Sequence, residues 1–308
     1  MIRLGTFTPS VLLRVARRTG RLSAAGLEVS EQPVPSSPGQ FAALLDGTLD
    51  AVLTSPDNVL AYRYTAANPL GRTADVRVLC AVDRGMGLAL YSRLSPTQLR
   101  GRVFGVDVPA SGFAFAMFAL AASLGLGRDD YRVTALGSTP KRLTALLAGE
   151  CDATMLNAGN ELHAERAGVP ALARVSEVCG PYLGTVLAVL QPPPGPPDGA
   201  DEPGSGGLRP HHALAATLIE TAAAICSGEL DAEVVTEAQE ALRLDEPMAK
   251  RYLERLCSPT EGLVPDGMVD LAAVRTLVEL RRRYGPVTEG DPYAPALVPG
   301  SGLFDDRT

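Results

Sequence analysis

The sequence contains few of the residues that hold metals or form disulfides. Of its 308 residues, five are cysteines and three are histidines. The cysteines are scattered and form no C-x-x-C pair, and two of the histidines are adjacent, so they cannot share one helical face. These residues are Cys80, Cys151, Cys179, Cys226, Cys257, His163, His211 and His212. The spacings argue against a disulfide framework or a zinc knuckle, and we expect no metal and no other cofactor.

Catalytic motifs are missing too. The chain contains no G-x-S-x-G, H-E-x-x-H, P-loop or G-x-G-x-x-G sequence. Nothing pairs two carboxylates, or a nucleophile with a base. Cys80 would be a nucleophile if it faced a cleft, but its apolar run, VRVLCAV, predicts a buried thiol within a strand. No catalytic residue is therefore assigned.

An excess of positive charge is absent. The net charge is −7, from 28 basic and 35 acidic residues, so the chain has no electrostatic footprint for nucleic acid or an anionic membrane. Only Lys141 and Lys250 are lysines. We interpret that arginine bias as genomic base composition rather than as phosphate recognition.

Long apolar runs are also lacking. Residues 108–127 carry no charge, but prolines and glycines interrupt them, which favours a buried helix over a membrane span. Near the N-terminus, Arg14, Arg17 and Arg18 stand where a signal peptide needs its apolar core. As the sequence stands we expect a cytoplasmic protein, exported only if the true start lies upstream.

The composition is that of a globular protein, with 46% apolar and 20% charged residues. Its length predicts about two domains. Up to residue 190, short apolar runs alternate with helical patterns, which predicts a mostly parallel α/β sheet with right-handed crossovers. Residues 192–210 contain seven prolines and five glycines, which predicts an exposed loop or linker. Helical patterns alone follow it.

An internal repeat indicates two similar lobes. LLDGTLDAVLTSPDN at 44–58 aligns with LLAGECDATMLNAGN at 146–160, and RLGTFTPS at 3–10 aligns with VFGVDVPA at 103–110. The offsets, 102 and 100 residues, are nearly equal. We therefore expect two lobes with one strand–helix–strand–helix–strand plan and a cleft between them. Ligands of open α/β sheets bind beyond the carboxyl ends of the strands, where helix N-termini also point.

The post-strand loops of both lobes are therefore the candidate ligand site. Ser111 and Gly112 open an apolar helix after a strand, a geometry suited to an anion, although Ser111 alone would serve as an ordinary N-cap. Ser138 and Thr139 equally fit a helix start that binds no ligand. Asn157 and Asn160 equally fit a turn that binds none. The full predicted set is Thr8, Ser10, Thr54, Ser55, Asp57, Asn58, Ser111, Gly112, Phe113, Ser138, Thr139, Asn157 and Asn160.

Several segments resemble a known fold family. IRLGTFTPS, GLEV, LLDGTLDAV, LRGRVFGVDV, LLAGECDATML and the helical tail VELRRRYG are similar to the type 2 periplasmic-binding-protein fold. They most resemble its branch of nitrate, taurine and alkanesulfonate receptors and thiamine-pyrimidine precursor (NMT1/THI5-like) proteins. The resemblance implies a two-lobed α/β fold with an interlobe ligand cleft and a helical C-terminal tail. It implies residues 1–92 plus 186–308 for lobe 1, and 93–185 for lobe 2.

Two functions remain open at this point. The resemblance implies a small-molecule binding protein like those of ABC importers, with a permease as partner if the protein is exported. The alternative is a cytoplasmic biosynthetic enzyme on the same scaffold, such as a lyase, decarboxylase or hydrolase. The missing signal peptide favours the enzyme, and the missing catalytic residues favour the binding protein.

Overall fold

Two five-stranded sheets organise the chain, which a computed structural model describes at residues 1–191, 209–298 and 300–304. The strands are β1 (Ile2–Thr6), β2 (Val29–Pro33), β3 (Ala51–Thr54), β4 (Val76–Asp83), β5 (Ala89–Ser92), β6 (Val103–Val106), β7 (Arg132–Ala135), β8 (Ala153–Leu156), β9 (Ala171–Arg174) and β10 (Thr185–Leu190). Their order is β2-β1-β3-β10-β4 in the first sheet and β7-β6-β8-β5-β9 in the second.

Each sheet has one reversed strand, in the same place. β10 is antiparallel to β3 and β4, and β5 is antiparallel to β8 and β9, while the remaining pairs are parallel. Each reversed strand is the first one in sequence after the chain crosses from one sheet to the other. The predicted mostly parallel sheet is thus right for four strands of each five. The reversals were not predicted, because an apolar run does not reveal the direction of its strand.

The internal repeat has a physical basis in the strand register. Gly5 of β1 lies opposite Val52, and Gly105 of β6 lies opposite Thr154, with the same offsets as the sequence repeat. The repeated aspartates perform one task in both lobes. Asp50 accepts a hydrogen bond from the Arg3 backbone N–H at 2.7 Å, and Asp152 accepts one from the Val103 N–H at 2.9 Å.

Strand pairing moves one lobe boundary. Residues 1–92 were assigned to lobe 1, yet β5 pairs with β8 and β9 in the second sheet. The chain therefore changes sheets between Asp83 and Ala89. It returns between Arg174 and Thr185, close to the expected boundary at residue 186.

Helices cover both sheets. They are α1 (Val11–Arg18), α2 (Arg21–Ala24), α3 (Ser37–Leu45), α4 (Pro56–Tyr64), α5 (Gly112–Ser123), α6 (Thr139–Ala148), α7 (Asn160–Arg166), α8 (Val175–Val178), α9 (Arg209–Cys226), α10 (Asp231–Leu242), α11 (Glu246–Leu256) and α12 (Leu271–Tyr284). Short 3-10 helices span Pro96–Gln98, Arg128–Asp130 and Ala294–Leu297. The uncharged run at 108–127 forms α5, most of whose residues are buried, as expected.

The C-terminal helices join the two lobes. α9 packs on β4 and α1, α10 packs on α1, and α11 packs on α10, so all three extend lobe 1. α12 lies against α4 of lobe 1 and α5 of lobe 2. The proline-rich linker prediction falls on residues outside the described ranges as far as 208, and α9 begins at Arg209.

Among the described residues, no single helix is long and apolar enough to cross a membrane; α9 and α10 pass the length and composition test only as a pair, bent by 110°. The same residues hold no cluster of three metal-ligating side chains.

Candidate ligand-binding cleft

A cavity of about 130 Å³ lies between the lobes, at the carboxyl ends of the strands. Lobe 1 lines it with the loops after β1 and β3 and with the crossing strands near Asp83 and Thr185. Lobe 2 lines it with the loop after β6, the start of α6 and the loop after β8. A cavity that holds a single water molecule needs only about 10–15 Å³, so this larger cavity admits a small organic molecule.

The cavity brings together most of the predicted site residues. Those that line it are Thr8, Ser10, Thr54, Ser55, Asn58, Ser111, Gly112, Phe113, Ser138, Thr139 and Asn157. Asp57 and Asn160 do not. Asn160 instead donates to the Asn157 carbonyl and to the Thr8 hydroxyl, while Asp57 is engaged by an arginine described below.

Four helices begin at this cavity. Ser10, Ser55 and Ser111 cap α1, α4 and α5, and each hydroxyl accepts a hydrogen bond from a backbone N–H of its own helix. Ser138 precedes α6 but makes no such bond, which leaves its hydroxyl available to a ligand. Helix N-termini carry partial positive charge, so their convergence favours a ligand with a negative group.

Arg142 adds a full positive charge to the cavity wall. Its side chain is 2% exposed and donates to the carbonyls of Gly137 and Met155 and to the hydroxyl of Thr139. Among the described residues no carboxylate lies within 4.0 Å of it, unlike the ion pairs formed elsewhere in the chain. Burial lowers the pKa of Arg142 to about 10, although the negative charge of nearby Asp107 partly offsets that effect, so Arg142 stays protonated near neutral pH. A buried guanidinium that contacts no carboxylate is stabilised further when an anion joins it.

Asp107, which also lines the cavity, has an unused acceptor. One carboxylate oxygen, Oδ2, accepts from the backbone N–H and the hydroxyl of Ser37, at 3.2 and 2.6 Å. The other, Oδ1, is buried and has no hydrogen-bond partner among the described residues. Buried polar atoms are seldom left unsatisfied, so this oxygen is a candidate acceptor for a donor group of a ligand.

Asp83 supplies a second carboxyl group, from lobe 1. Burial raises the pKa of Asp83 to about 6, although the Thr185 side chain and the Gly85 backbone N–H partly offset that effect. The group therefore titrates near neutral pH, where a small change in its surroundings alters its charge.

Asp57 forms the base of the cleft rather than its lining. Its Oδ1 accepts from Arg281 Nε at 2.7 Å and its Oδ2 from Arg281 Nη2 at 2.5 Å. Both side chains are almost fully buried. Arg281 belongs to α12 and also lies over the Phe115 ring of lobe 2. No local sequence pattern predicts this pair, because 224 residues separate its members.

Direct contacts between the lobes show that the cleft is closed. Ser37 of lobe 1 holds Asp107 of lobe 2, and the Ser138 backbone N–H donates to the Pro35 carbonyl at 3.1 Å. At the start of α5, Gly112 lies so near Asp57 that a Cβ at this glycine would be 2.4 Å from the Asp57 Cβ. Gly112 thus allows the opposite lobe to approach closely, and not only a ligand.

A network of charges lies behind the cleft. Arg255 of α11 pairs with Glu161 and Glu165 of α7, and Glu165 also pairs with Arg251. Glu161 is fully buried, and within the described ranges its Oε2 has no hydrogen-bond partner. Since α11 extends lobe 1 and α7 belongs to lobe 2, these pairs join the lobes. Tyr252 and Leu256 of α11 line the cavity itself, a contribution that the sequence did not predict.

No known protein-family profile and no curated protein matches this sequence. Solved structures do. The match to a protein from Bordetella bronchiseptica RB50 has 18% identity and a TM-score of 0.74, and it covers 99% of this chain and 94% of that protein. The match to the alkanesulfonate-binding protein SsuA of Xanthomonas axonopodis pv. citri, bound to MOPS, has 17% identity and a TM-score of 0.69, and it covers 93% of this chain and 94% of SsuA. The match to the periplasmic nitrate-binding protein NrtA of Synechocystis PCC 6803 has 11% identity and a TM-score of 0.70, and it covers 98% of this chain and 86% of NrtA.

At these identities the likeness establishes the fold. Both lobes, the interlobe cavity and the helical C-terminal region agree with the expectation drawn from the sequence segments. The chain has the two-lobed type 2 periplasmic-binding-protein fold.

Proposed function

We propose that this protein binds a small organic anion between its lobes, as the substrate-binding protein of an ABC importer does. The observation that carries the proposal is Arg142, a buried cation in the cavity wall that has no carboxylate within 4.0 Å among the described residues and only the more distant charge of Asp107 to offset it. Two structural neighbours are described as binding proteins for alkanesulfonate and nitrate, which are both anions. The sequence resemblance to the nitrate, taurine and NMT1/THI5-like branch supports the same assignment.

The cavity also specifies a second feature of the ligand. Asp107 Oδ1 is buried without a donor, so we propose that the ligand carries an amine, amide or hydroxyl group on the side facing Asp107. The negative group would lie against Arg142, the Ser138 hydroxyl and the N-termini of α5 and α6. An ABC permease is the partner that this function implies if the protein is exported; otherwise it acts in the cytoplasm.

A matched set of three compounds tests this chemistry. 2-Aminoethanesulfonate carries both groups, ethanesulfonate only the anion, and ethanolamine no anion. We expect calorimetry to give the tightest binding for the first, weaker binding for the second and none for the third. If ethanolamine binds as tightly as ethanesulfonate, the anion site is wrong. If none of these compounds, nor the corresponding carboxylates, binds, the proposed function is wrong.

Arg142→Met tests the role of the cation. Hydrogen bonds to charged groups contribute about 1.5–3 kcal/mol, so we expect affinity for the anion to fall roughly 10- to 100-fold. Lys141→Met is the matched control, since it removes a positive charge at the next residue, which is exposed. Arg142→Lys, which keeps the charge, should recover part of the affinity, and its thermal unfolding curve shows whether the fold is intact. Equal affinity in Arg142→Met and wild type contradicts the proposal.

Asp83 favours one second candidate. A buried carboxyl group with a pKa of about 6, facing a ligand cavity, has the proton affinity that a general acid or base requires near neutral pH. We propose, as the alternative, a biosynthetic lyase, decarboxylase or hydrolase on this scaffold. Prolonged incubation of a bound compound, followed by NMR, separates the two: unchanged ligand supports the binding protein, and conversion that Asp83→Asn abolishes supports the enzyme.

A further inference from the structure

Two of the five cysteines meet where two C-terminal helices end. Cys226 is the last residue of α9, and Cys257 directly follows α11. The Cys226 Sγ lies 4.0 Å from the carbonyl oxygen of Leu256, and the Cys257 Sγ lies 3.6 Å from the carbonyl oxygen of Ile225. Each thiol thus points at the residue before the other cysteine, and the two side chains interact directly.

The pair is open to reagents from one side. Cys257 is exposed and Cys226 is half-buried, whereas Cys80 and Cys151 lie in the core. An oxidant can therefore reach Cys257 without unfolding the protein, and Cys226 is already beside it. An accessible thiol with a second thiol next to it is the arrangement in which oxidation of the first leads to a disulfide with the second.

We infer that Cys226 and Cys257 form a reversible disulfide when a peroxide is present. The Cys257 sulfur attacks the peroxide, the O–O bond breaks, and Cys257 becomes a sulfenic acid as one water leaves. The Cys226 sulfur then displaces the sulfenic hydroxyl as a second water, and the S–S bond forms. The two thiols lose two electrons and two protons in total, and the peroxide is reduced to water. A dithiol reductant reverses the reaction.

The disulfide would anchor a wall of the cleft. Leu256, next to Cys257, lines the cavity, and Arg255 holds Glu161 and Glu165 of the opposite lobe. Joining the end of α11 to α9 therefore fixes the segment that carries these contacts. Because the link also restrains the unfolded chain, we expect the oxidised protein to melt on the order of 5–10 °C higher.

The rate of this oxidation should depend on pH. Although the residue is exposed, partial desolvation of its sulfur raises the pKa of the Cys257 thiol to about 11, and the charge of Asp231 adds to this shift. Desolvation also raises the pKa of Cys226, which the charge of Arg84 partly offsets. The thiolate is the reactive form, so oxidation should be slow at pH 7 and roughly tenfold faster for each unit of pH up to about 10.

The test is peptide mapping of the whole protein after hydrogen peroxide treatment and alkylation of free thiols. We expect one linked peptide pair, containing Cys226 and Cys257, which dithiothreitol removes. Cys257→Ser should lose the linkage and the gain in melting temperature. Cys179→Ser, which removes a half-buried thiol elsewhere, should retain both. If treated wild type shows free Cys226 and Cys257, or a linkage through other cysteines, the inference is wrong.

Discussion

Gly112→Ala should hold the cleft open without unfolding the protein. The added Cβ would stand 2.4 Å from the Asp57 Cβ and 2.7 Å from its Cγ. Asp57 cannot turn away, because Arg281 binds both of its carboxylate oxygens inside the core. The helix itself tolerates alanine better than glycine. The collision is therefore relieved by separation of the two lobes.

The magnitude follows from the contacts that the separation breaks. On the cleft side, the lobes are joined by two hydrogen bonds between Ser37 and Asp107, one from Ser138 to Pro35 and one from Asn160 to Thr8. The ion pairs of Arg255 lie behind the cleft and stay formed as it opens. At about 1 kcal/mol each, loss of the hydrogen bonds disfavours the closed state by about 4 kcal/mol, or roughly a thousandfold. Apparent affinity falls with the population of the binding-competent state, so we expect binding at least about a hundredfold weaker.

The assay is calorimetry with the tightest-binding compound of the set proposed above, together with small-angle X-ray scattering. Gly112→Ala should show weaker binding and a larger radius of gyration than ligand-saturated wild type. Gly127→Ala is the matched control, since the new Cβ would lie 3.6 Å from Asp130 Oδ2, an ordinary contact, and the φ of Gly127 is −74°. A Gly112→Ala protein with wild-type affinity and a wild-type scattering profile refutes the argument.

Three further measurements follow from the structure. Saturating ligand should reduce the radius of gyration of wild type if the free protein populates an open state, and an unchanged radius would count against hinge closure. The pKa of Asp83 is raised from 3.8 to about 6, so the stabilisation by its protonated form is complete below pH 3.8 and is lost as pH rises through 6. Relative to Asp83→Asn, urea unfolding should show wild type losing about 2 kcal/mol between pH 4 and pH 7, and a pH-independent difference would contradict this. Arg255→Met should lower the unfolding free energy by about 3–5 kcal/mol, because it leaves Glu161 buried without its partner. Adding Glu161→Gln should restore part of that loss, and equal stability of the single and double variants would contradict the role of this ion pair.

Most of the predicted site residues line one cavity because the repeat marks where equivalent strands end. Gly5 and Gly105, and Asp50 and Asp152, occupy equivalent register positions, so aligning them aligns the loops that follow. Because these strands end side by side, the polar residues in the loops that follow them face one cavity. Eleven of the thirteen predicted residues line the cavity for this reason.

What the sequence did not reveal depends on contacts between distant segments. Asp57 follows a strand like its neighbours, but its partner, Arg281, approaches from the C-terminal helix. Arg142 belongs to a helix rather than to a loop after a strand, so the repeat does not predict it as a site residue. A signal did exist: Thr139, Arg142, Ala145 and Leu146 form the buried stripe of α6, and an arginine on such a stripe is unusual.

The place of β10 determines the order in which the lobes can be completed during synthesis. The second sheet is built from one continuous stretch, β5 to β9, and needs no strand from elsewhere. The first sheet has a gap between β3 and β4 until β10 emerges from the ribosome, some hundred residues after β4. Lobe 2 can therefore assemble while the earlier-made lobe 1 still exposes two unpaired strand edges. The first four strands are thus translated first but complete their sheet last, and the nascent protein exposes their unpaired edges during that interval.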